Sequence, residues 1–372
     1  MSESKVNSGL TRRQFLKITA AAGIGVALAA CKDARRPTLT PESQETPELK
    51  IRLGDEEMVS PSGLNWVPDG HISMLRMPGG NFRVWVQGGP ISYLLEGSSL
   101  DQLGQPKLVF GPEKITTEKG FQGYRALHSV IPGVQPNDLI GFYHQENWVS
   151  EKNGFPYTAS IGVAFSHDAG VTWEDQETII KGGQPEYPPE NRASGAGQPS
   201  ALIIDNWVHL YFIDWRTDSA AIHLARAQIE VVQKPVAWQR WNGSDFGRFG
   251  DERASVPVIL PPNDGAEIPY AALPGASYNS FTNRYLTVFE SNLGFYVATS
   301  KDAIHWDQTQ ILLRFPQPQF PIKDGNVWNS YPTLLSETDS DRQTDQTGWL
   351  LYSKGIRNQG PHRMYRRPFE LG

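Results

Sequence analysis

One cysteine, Cys31, is all that the 372 residues contain, so no internal disulfide can staple this fold. Long apolar runs are missing as well: the stretch from Ile18 to Ala30 is rich in Ala and Gly and falls short of the about 20 residues a membrane span requires. No Lys/Arg run follows this segment and the net charge is −6, which argues against a nucleic-acid partner. No H-x-H, H-E-x-x-H or spaced Cys/His set occurs, so the sequence points to no metal centre and no cofactor. Helical periodicity is almost absent beyond residue 49.

What the chain does have begins with an address. Thr11-Arg12-Arg13-Gln14-Phe15-Leu16-Lys17 precedes the apolar run and resembles a twin-arginine export signal, which implies that the protein crosses the membrane already folded. Residues 1–31 are read as an address rather than as structure, with its apolar run removed and, on the lipobox reading below, cleavage immediately before Cys31; a retained N-terminal anchor is the other reading. Leu28-Ala29-Ala30-Cys31 resembles the lipobox of bacterial lipoproteins, and that resemblance implies a lipid on Cys31 that holds the protein at a membrane surface. Residues 32–48 are polar and proline-rich, a tether with nothing to bury. Residues 49–372 form the folded domain.

Within that domain short runs rich in Val, Ile, Tyr, Phe and Trp alternate with Gly/Pro/Asn/Asp turns, the signature of an all-β chain. Paired runs recur five times: Ile72–Met74 with Phe82–Val86, Ala126–Ile131 with Leu139–His144, Ser200–Ile204 with Val208–Ile213, Ala276–Asn279 with Tyr285–Phe289, and Pro332–Leu335 with Trp349–Ser353. The rhythm predicts a five-bladed β-propeller of four-stranded antiparallel blades. Its last unit runs out of chain, and Leu49–Leu53 is placed to supply the missing outer strand and close the ring. A β-sandwich or two smaller β-domains is the competing architecture.

Ser166-His167-Asp168-Ala169-Gly170-Val171-Thr172-Trp173 dictates a folded hairpin: Asp168 can bond the backbone of its own turn, Gly170 can take a positive φ, and Trp173 can bury between sheets. The octapeptide resembles the Asp box of sialidases and related propellers, and a shorter copy without the glycine recurs as Ser300-Lys301-Asp302-Ala303-Ile304-His305-Trp306. Over nearly all of residues 60–372 the arrangement is similar to the five-bladed propellers of glycoside hydrolase clans that include arabinanases, xylosidases and levansucrase-like enzymes. That resemblance implies a glycan as the partner. The arginine triad with which sialidases grip a carboxylate cannot be assembled around Arg125, which argues against sialidase activity.

In a propeller, inner strands start on the face where second strands end. Aligning the hairpins on that rule gathers Asp69, His71, Arg125, His128, Gln198 and Tyr331 with Glu146, Asp214, Glu290 and Lys354. Glycoside hydrolysis needs one protonated and one ionised carboxyl across the scissile bond, and Asp214, Glu290, Asp69 and Glu146 are the candidates. His71, Arg125, His128, Gln198, Tyr331 and Lys354 are expected to bind substrate. Each has a plainer role available: Asp69 as a turn former in Val67-Pro68-Asp69-Gly70, Glu146 facing solvent, Asp214 paired with Arg216. The resembled enzymes place aspartates at the first two inner-strand starts and a glutamate at the third. Here Asp69 fits the first place, Arg125-Ala126 stands at the second, and the third is Gln198-Pro199-Ser200, whose amide cannot titrate. A non-catalytic propeller that binds a glycan or a protein is therefore the alternative.

Overall fold

The computed structural model describes residues 49–112, 121–148, 157–181, 193–215, 220–247, 255–307, 309–336, 338–357 and 359–372. The export signal, Cys31 and the 32–48 tether lie outside the described residues. The described part is all-β: its helices are the single 3₁₀ turns Leu100–Gln102, Ile229–Val231 and Pro235–Ala237, and no helix is long and apolar enough to cross a membrane.

Strands β1 (Ile51–Leu53) and β2 (Glu57–Met58) open the domain. The first antiparallel array is β3 (Ser73–Arg76), β4 (Phe82–Gln87), β5 (Ser92–Gly97) and β6 (Lys107–Phe110). The second is β7 (Phe121–Pro132), β8 (Leu139–Trp148), β9 (Tyr157–Ser166) and β10 (Glu174–Lys181). The third is β11 (Ala193–Ile204), β12 (Trp207–Asp214), β13 (Ala221–Gln228), β14 (Gln239–Trp241) and β15 (Phe246–Gly247). The fourth is β16 (Ala272–Asn279), β17 (Arg284–Ser291), β18 (Gly294–Ser300) and β19 (Gln310–Arg314). After β20 (Val327–Leu335), the short β21 (Gln343–Thr344) pairs in parallel with β16. Strands β22 (Thr347–Ile356) and β23 (Arg363–Leu371) complete the last array with β20, and both β1 and β2 pair antiparallel with β23.

The sequence predicts five separate sheets, whereas hydrogen bonding gives four among the described residues. Tyr157–Ala159 of β9 pairs in parallel with Ala193–Gly195 of β11, which joins the second and third arrays. Gly195 permits this approach: its φ is +88°, and a Cβ there would stand 2.2 Å from the Ala159 carbonyl oxygen.

Apolar side chains pack between arrays rather than within them. Leu75, Trp85 and Leu94 of the first meet Leu127 and Tyr143 of the second. Phe142 and Val163 meet Leu210 and Phe212, Tyr211 and Leu224 meet Phe289 and Tyr296, and Val288 and Phe295 meet Leu334 and Tyr352. Ile72, Met74 and Val86 of the first array close against Leu335, Leu351 and Met364 of the last. Four of these five boundaries are also tied at the inner edges by hydroxyls. The backbone N–H of Val130 donates to Ser73 Oγ (2.9 Å), Ala201 to Ser129 (3.0 Å), Ala276 to Ser200 (3.0 Å) and Ile72 to Thr333 Oγ1 (3.2 Å). Without them these buried edge donors would have no partner.

Two outer turns share one set of ties. Between β9 and β10, Asp168 accepts bonds from the N–H groups of Val171 (3.0 Å) and Thr172 (2.9 Å) and from the hydroxyls of Thr172 (2.7 Å) and Ser166 (2.8 Å). Between β18 and β19, Asp302 accepts from Ile304 N (3.0 Å), His305 N (2.8 Å) and Ser300 Oγ (3.0 Å). The preceding array pins each turn: Trp85 Nε1 donates to Gly170 O (3.2 Å), and the Tyr211 hydroxyl to Ala303 O (2.5 Å). Trp173, expected to bury, is only half-buried and rests edge-on against the fully buried Trp85.

Burial alone would raise the Asp168 carboxyl, but its four donors hold it down at about 2. A depressed carboxylate stabilises the fold above its unfolded value near 4, and that contribution is lost as pH falls through 2. Asp168→Ala is expected to cost about 1 kcal/mol at pH 7, a figure reduced for solvent exposure, and the difference from wild type to narrow below pH 4. Urea midpoints across pH measure it.

Candidate active site

The inner strands of four arrays carry a register shift at matching heights: Leu127/Ser129 in β7, Gly197/Ser200 in β11, Ala272/Gly275 in β16 and Ser330/Thr333 in β20. In the last three a residue with positive φ precedes proline: Gln198 (57°), Leu273 (56°) and Tyr331 (58°). Proline cannot donate to a ladder, and a bulge at that point re-aims the preceding side chain. Gln198 and Tyr331 owe their orientation to this device.

Asp69 stands just before β3, its N–H bonded to Gln87 O at the end of β4 (3.2 Å). Gly70 beside it has no room for a side chain, because a Cβ would stand 2.4 Å from the His128 ring. The Tyr331 hydroxyl donates to Asp69 Oδ1 (2.9 Å), the Tyr124 hydroxyl donates to its carbonyl (2.5 Å), and His362 Nε2 lies 3.9 Å from Oδ1. Although 24 % of the side-chain surface stays open, burial pushes the carboxyl up to about 8; Glu146 pushes the same way and the Tyr331 bond opposes.

Glu146 ends β8 on the same face as His144. The N–H of Gln198 points at His144 Nδ1 (3.4 Å), which leaves Nε2 to donate to Glu146 Oε1 (3.2 Å). Tyr157 also bonds Glu146, and burial with that carboxylate raises its hydroxyl well above its usual value. Tyr124 feels Asp69, Tyr331, Glu146 and Tyr157 together, so these groups form one electrostatic cluster. His128 lies beneath with Nε2 3.3 Å from the Tyr124 hydroxyl, and burial, with His144 and His71, holds it well below 6.5.

Glu290 is sealed, 4 % exposed, and accepts from Tyr270 (2.7 Å), Ser330 (2.5 Å) and the Tyr331 N–H. Burial raises it to about 7 against those donors and Arg357. A side chain so enclosed can hold Tyr331, and through it Asp69, but does not meet a ligand itself.

The cluster thus unites Asp69, Glu146, Glu290, His128, Gln198 and Tyr331. His71 lies deeper, bonded to Asp341 and Thr333 (both 3.1 Å). Three expected members are engaged by other partners. Asp214 is 1 % exposed, with Arg240 at 3.8 Å, on the Phe212 side of β12. Arg125 is ion-paired with Asp175 and stacked over Tyr143 at 4.7 Å. Lys354 binds Glu56 and covers the Tyr365 ring at 5.2 Å. In their place come residues without a motif: Tyr124, His144, Tyr157, His362, Trp328 and Arg357. Two open grooves elsewhere, one beside Asp205, Tyr285 and Arg342 and one beside Arg52, Trp349 and Glu370, share no residue with this cluster.

Residues 9–29 match the TAT (twin-arginine translocation) pathway signal sequence, which marks the chain for export across a membrane. No curated protein sequence matches the chain. Solved structures do. A family 117 glycoside hydrolase of Zobellia galactanivorans is 11 % identical, with TM-score 0.52 over 87 % of this chain and 90 % of that one. An α-L-arabinofuranosidase from Lactobacillus brevis is 10 % identical, with TM-score 0.52 over 82 % and 91 %. A protein of unknown function from Dyadobacter fermentans is 9 % identical, with TM-score 0.51 over 87 % and 99 %. At such identities the likeness is one of fold: this chain has the all-β, propeller-type fold found in glycoside hydrolases.

Proposed function

We propose that this exported chain is a glycoside hydrolase, a five-bladed propeller closed by β1, with Asp69 as general acid and Glu146 as its ionised partner. The five arrays are the blades. The packing of the first array against the last, and the hydroxyl ties between successive inner strands, support the ring. The observation that carries the function is Asp69: a carboxyl open to a ligand yet held protonated near neutral pH, coupled to a second carboxylate. An acid in that state can protonate the departing glycosidic oxygen, while Glu146, oriented by His144 and Tyr157, activates water or attacks carbon. Glu290 acts through Tyr331 as a positioning residue. Lipidation of Cys31, with residues 32–48 as a tether, would hold the domain at the outer side of the membrane.

Hydrolysis of chromogenic glycosides and oligosaccharides by the full chain tests the proposal, with Asp69→Asn and Glu146→Gln as its controls. Undiminished turnover in both variants sinks it. Tyr331→Phe supplies a finer test. Its hydroxyl favours the ionised form of Asp69, so its loss raises that carboxyl, and the basic limb of the pH–rate profile is expected to move up by roughly one pH unit.

A second reading is favoured by Gln198, an amide that cannot titrate at the third inner-strand position, where it bonds the buried His128. On that reading the propeller binds a glycan without cleaving it. Binding that survives Asp69→Asn, with no turnover in wild type, selects it.

A further inference from the structure

We infer that the glycan is acidic, and that Arg357 binds a carboxylate or sulfate carried on its sugar beside the Asp69 cluster. This rests on the proposal that the cluster is a glycan site.

Arg357 follows β22 directly. Its backbone is pinned twice, its N–H donating to Asn326 O (2.9 Å) and its carbonyl accepting from Gly325 N (3.1 Å). The guanidinium lies over Trp328, 4.7 Å from the ring centroid. Trp328 is itself fixed edge-on against His362 (4.6 Å) and Tyr331 (5.7 Å), the latter being the residue that bonds Asp69. The charge is felt across the cluster: it opposes the rise of Glu290 and helps push His362 down to about 3, behind burial.

Several other arginines of the domain spend their charge on partners: Arg83 on Glu96, Arg125 on Asp175, Arg284 on Asp307, Arg366 on Glu57 and Asp101. Arg357 makes no ion pair among the described residues and feels the sealed Glu290 only at longer range. No carboxylate lies within ion-pair distance of it, and its buried Nε makes no hydrogen bond. Half-burying a guanidinium without a directly paired anion is costly, and such groups collect at binding sites. Its planar fork matches the geometry of a carboxylate or sulfate. On the far side of His362, at 5.1 Å, Trp66 is 51 % exposed and offers an indole face on which the sugar ring can lie.

The test is calorimetric binding by the full chain carrying Asp69→Asn, so that turnover does not intervene. The probes are a hexuronic-acid oligosaccharide and its carboxyl-reduced neutral form, then a sulfated oligosaccharide and its desulfated form. The acidic member of one pair is expected to bind about 10-fold to 100-fold more tightly than its neutral counterpart, and the pair that responds identifies the anion. Arg357→Gln is expected to reduce that preference to about 2-fold while neutral binding persists, and Arg357→Lys to retain part of it. Equal binding of acidic and neutral glycans by the Arg357 form overturns the inference and leaves the hydrolase proposal standing. A preference undiminished in a folded Arg357→Gln protein overturns the assignment to Arg357, and binding of no glycan overturns both.

Discussion

Asp69→Asn is expected to reduce glycan hydrolysis by about a thousandfold or more while making the protein more stable at pH 8. The two effects have one origin. Asparagine keeps the shape of the side chain and still accepts the Tyr331 bond, so the cluster remains assembled, but it has no proton to give a leaving group. The stability change follows from linkage. The native carboxyl holds its proton up to about 8, whereas an unfolded aspartate loses it near 4. Between those values the native state binds more protons than the unfolded one, so wild-type stability falls as pH rises through that window. Glu290, raised to about 7, adds to the same slope. Asparagine cannot ionise and removes the Asp69 share. Its advantage over wild type is therefore largest at pH 8 and shrinks towards pH 4. Denaturant midpoints at pH 5 and pH 8, taken beside kcat, give both readings. Lost activity with no change in the pH slope of stability would mean that Asp69 titrates normally and is not the acid.

The hairpins were legible because apolar alternation and turn residues report local structure directly, and all five inner pairs occur as hydrogen-bonded strands. The fourth strands were not. β10 is largely exposed and keeps only Ile179 and Ile180 buried, while β19 is five residues with a single apolar run and no alternation, so neither carries a clear strand period. The site was half legible for a geometric reason. Ranking residues by position along a strand finds the correct end of the sheet but not the correct face, since successive side chains alternate. Asp214 and Lys354 reach the expected end but are engaged there by Arg240 and Glu56. Register shifts at Gln122/Tyr124 and Leu127/Ser129 decide which of β7's polar residues face inward, and they bring Tyr124 and His128 together while Arg125 turns to Asp175. One signal was available in the letters. The repeated residue-proline steps at Gln198-Pro199, Leu273-Pro274 and Tyr331-Pro332 stand at or just before the starts of the predicted inner runs and inside the observed β11, β16 and β20, where proline is otherwise excluded. Arg357 and His362 lie at the edges of strands and carry no pattern.

Trp85→Ala is expected to cost about 3–5 kcal/mol, the largest stability loss from any single truncation on this side of the domain. Trp85 is fully buried, packs with Leu75, Leu127 and Tyr143 across the boundary of the first two arrays, and meets Trp173 edge-on at 6.3 Å. Its Nε1 also donates to Gly170 O, the carbonyl that Trp173 Nε1 bonds at 3.1 Å. Removing the indole therefore leaves a cavity and deprives the Asp168 turn of its anchor on the neighbouring array. The fit is close in the wild type: Gly170, at φ +91°, lies so near the indole that a Cβ there would stand 2.3 Å from the ring. Trp85→Phe separates the two contributions: it keeps most of the apolar contact and loses the hydrogen bond, and should cost less than the alanine by at least about 1 kcal/mol. The damage is expected to spread along β9, which runs from this turn to Tyr157 beside Glu146. Hydrogen exchange should quicken in β9 and β10 of the alanine variant before it does in the fourth array. An alanine variant within about 1 kcal/mol of wild type would show that the boundary between these arrays carries little of the fold's stability.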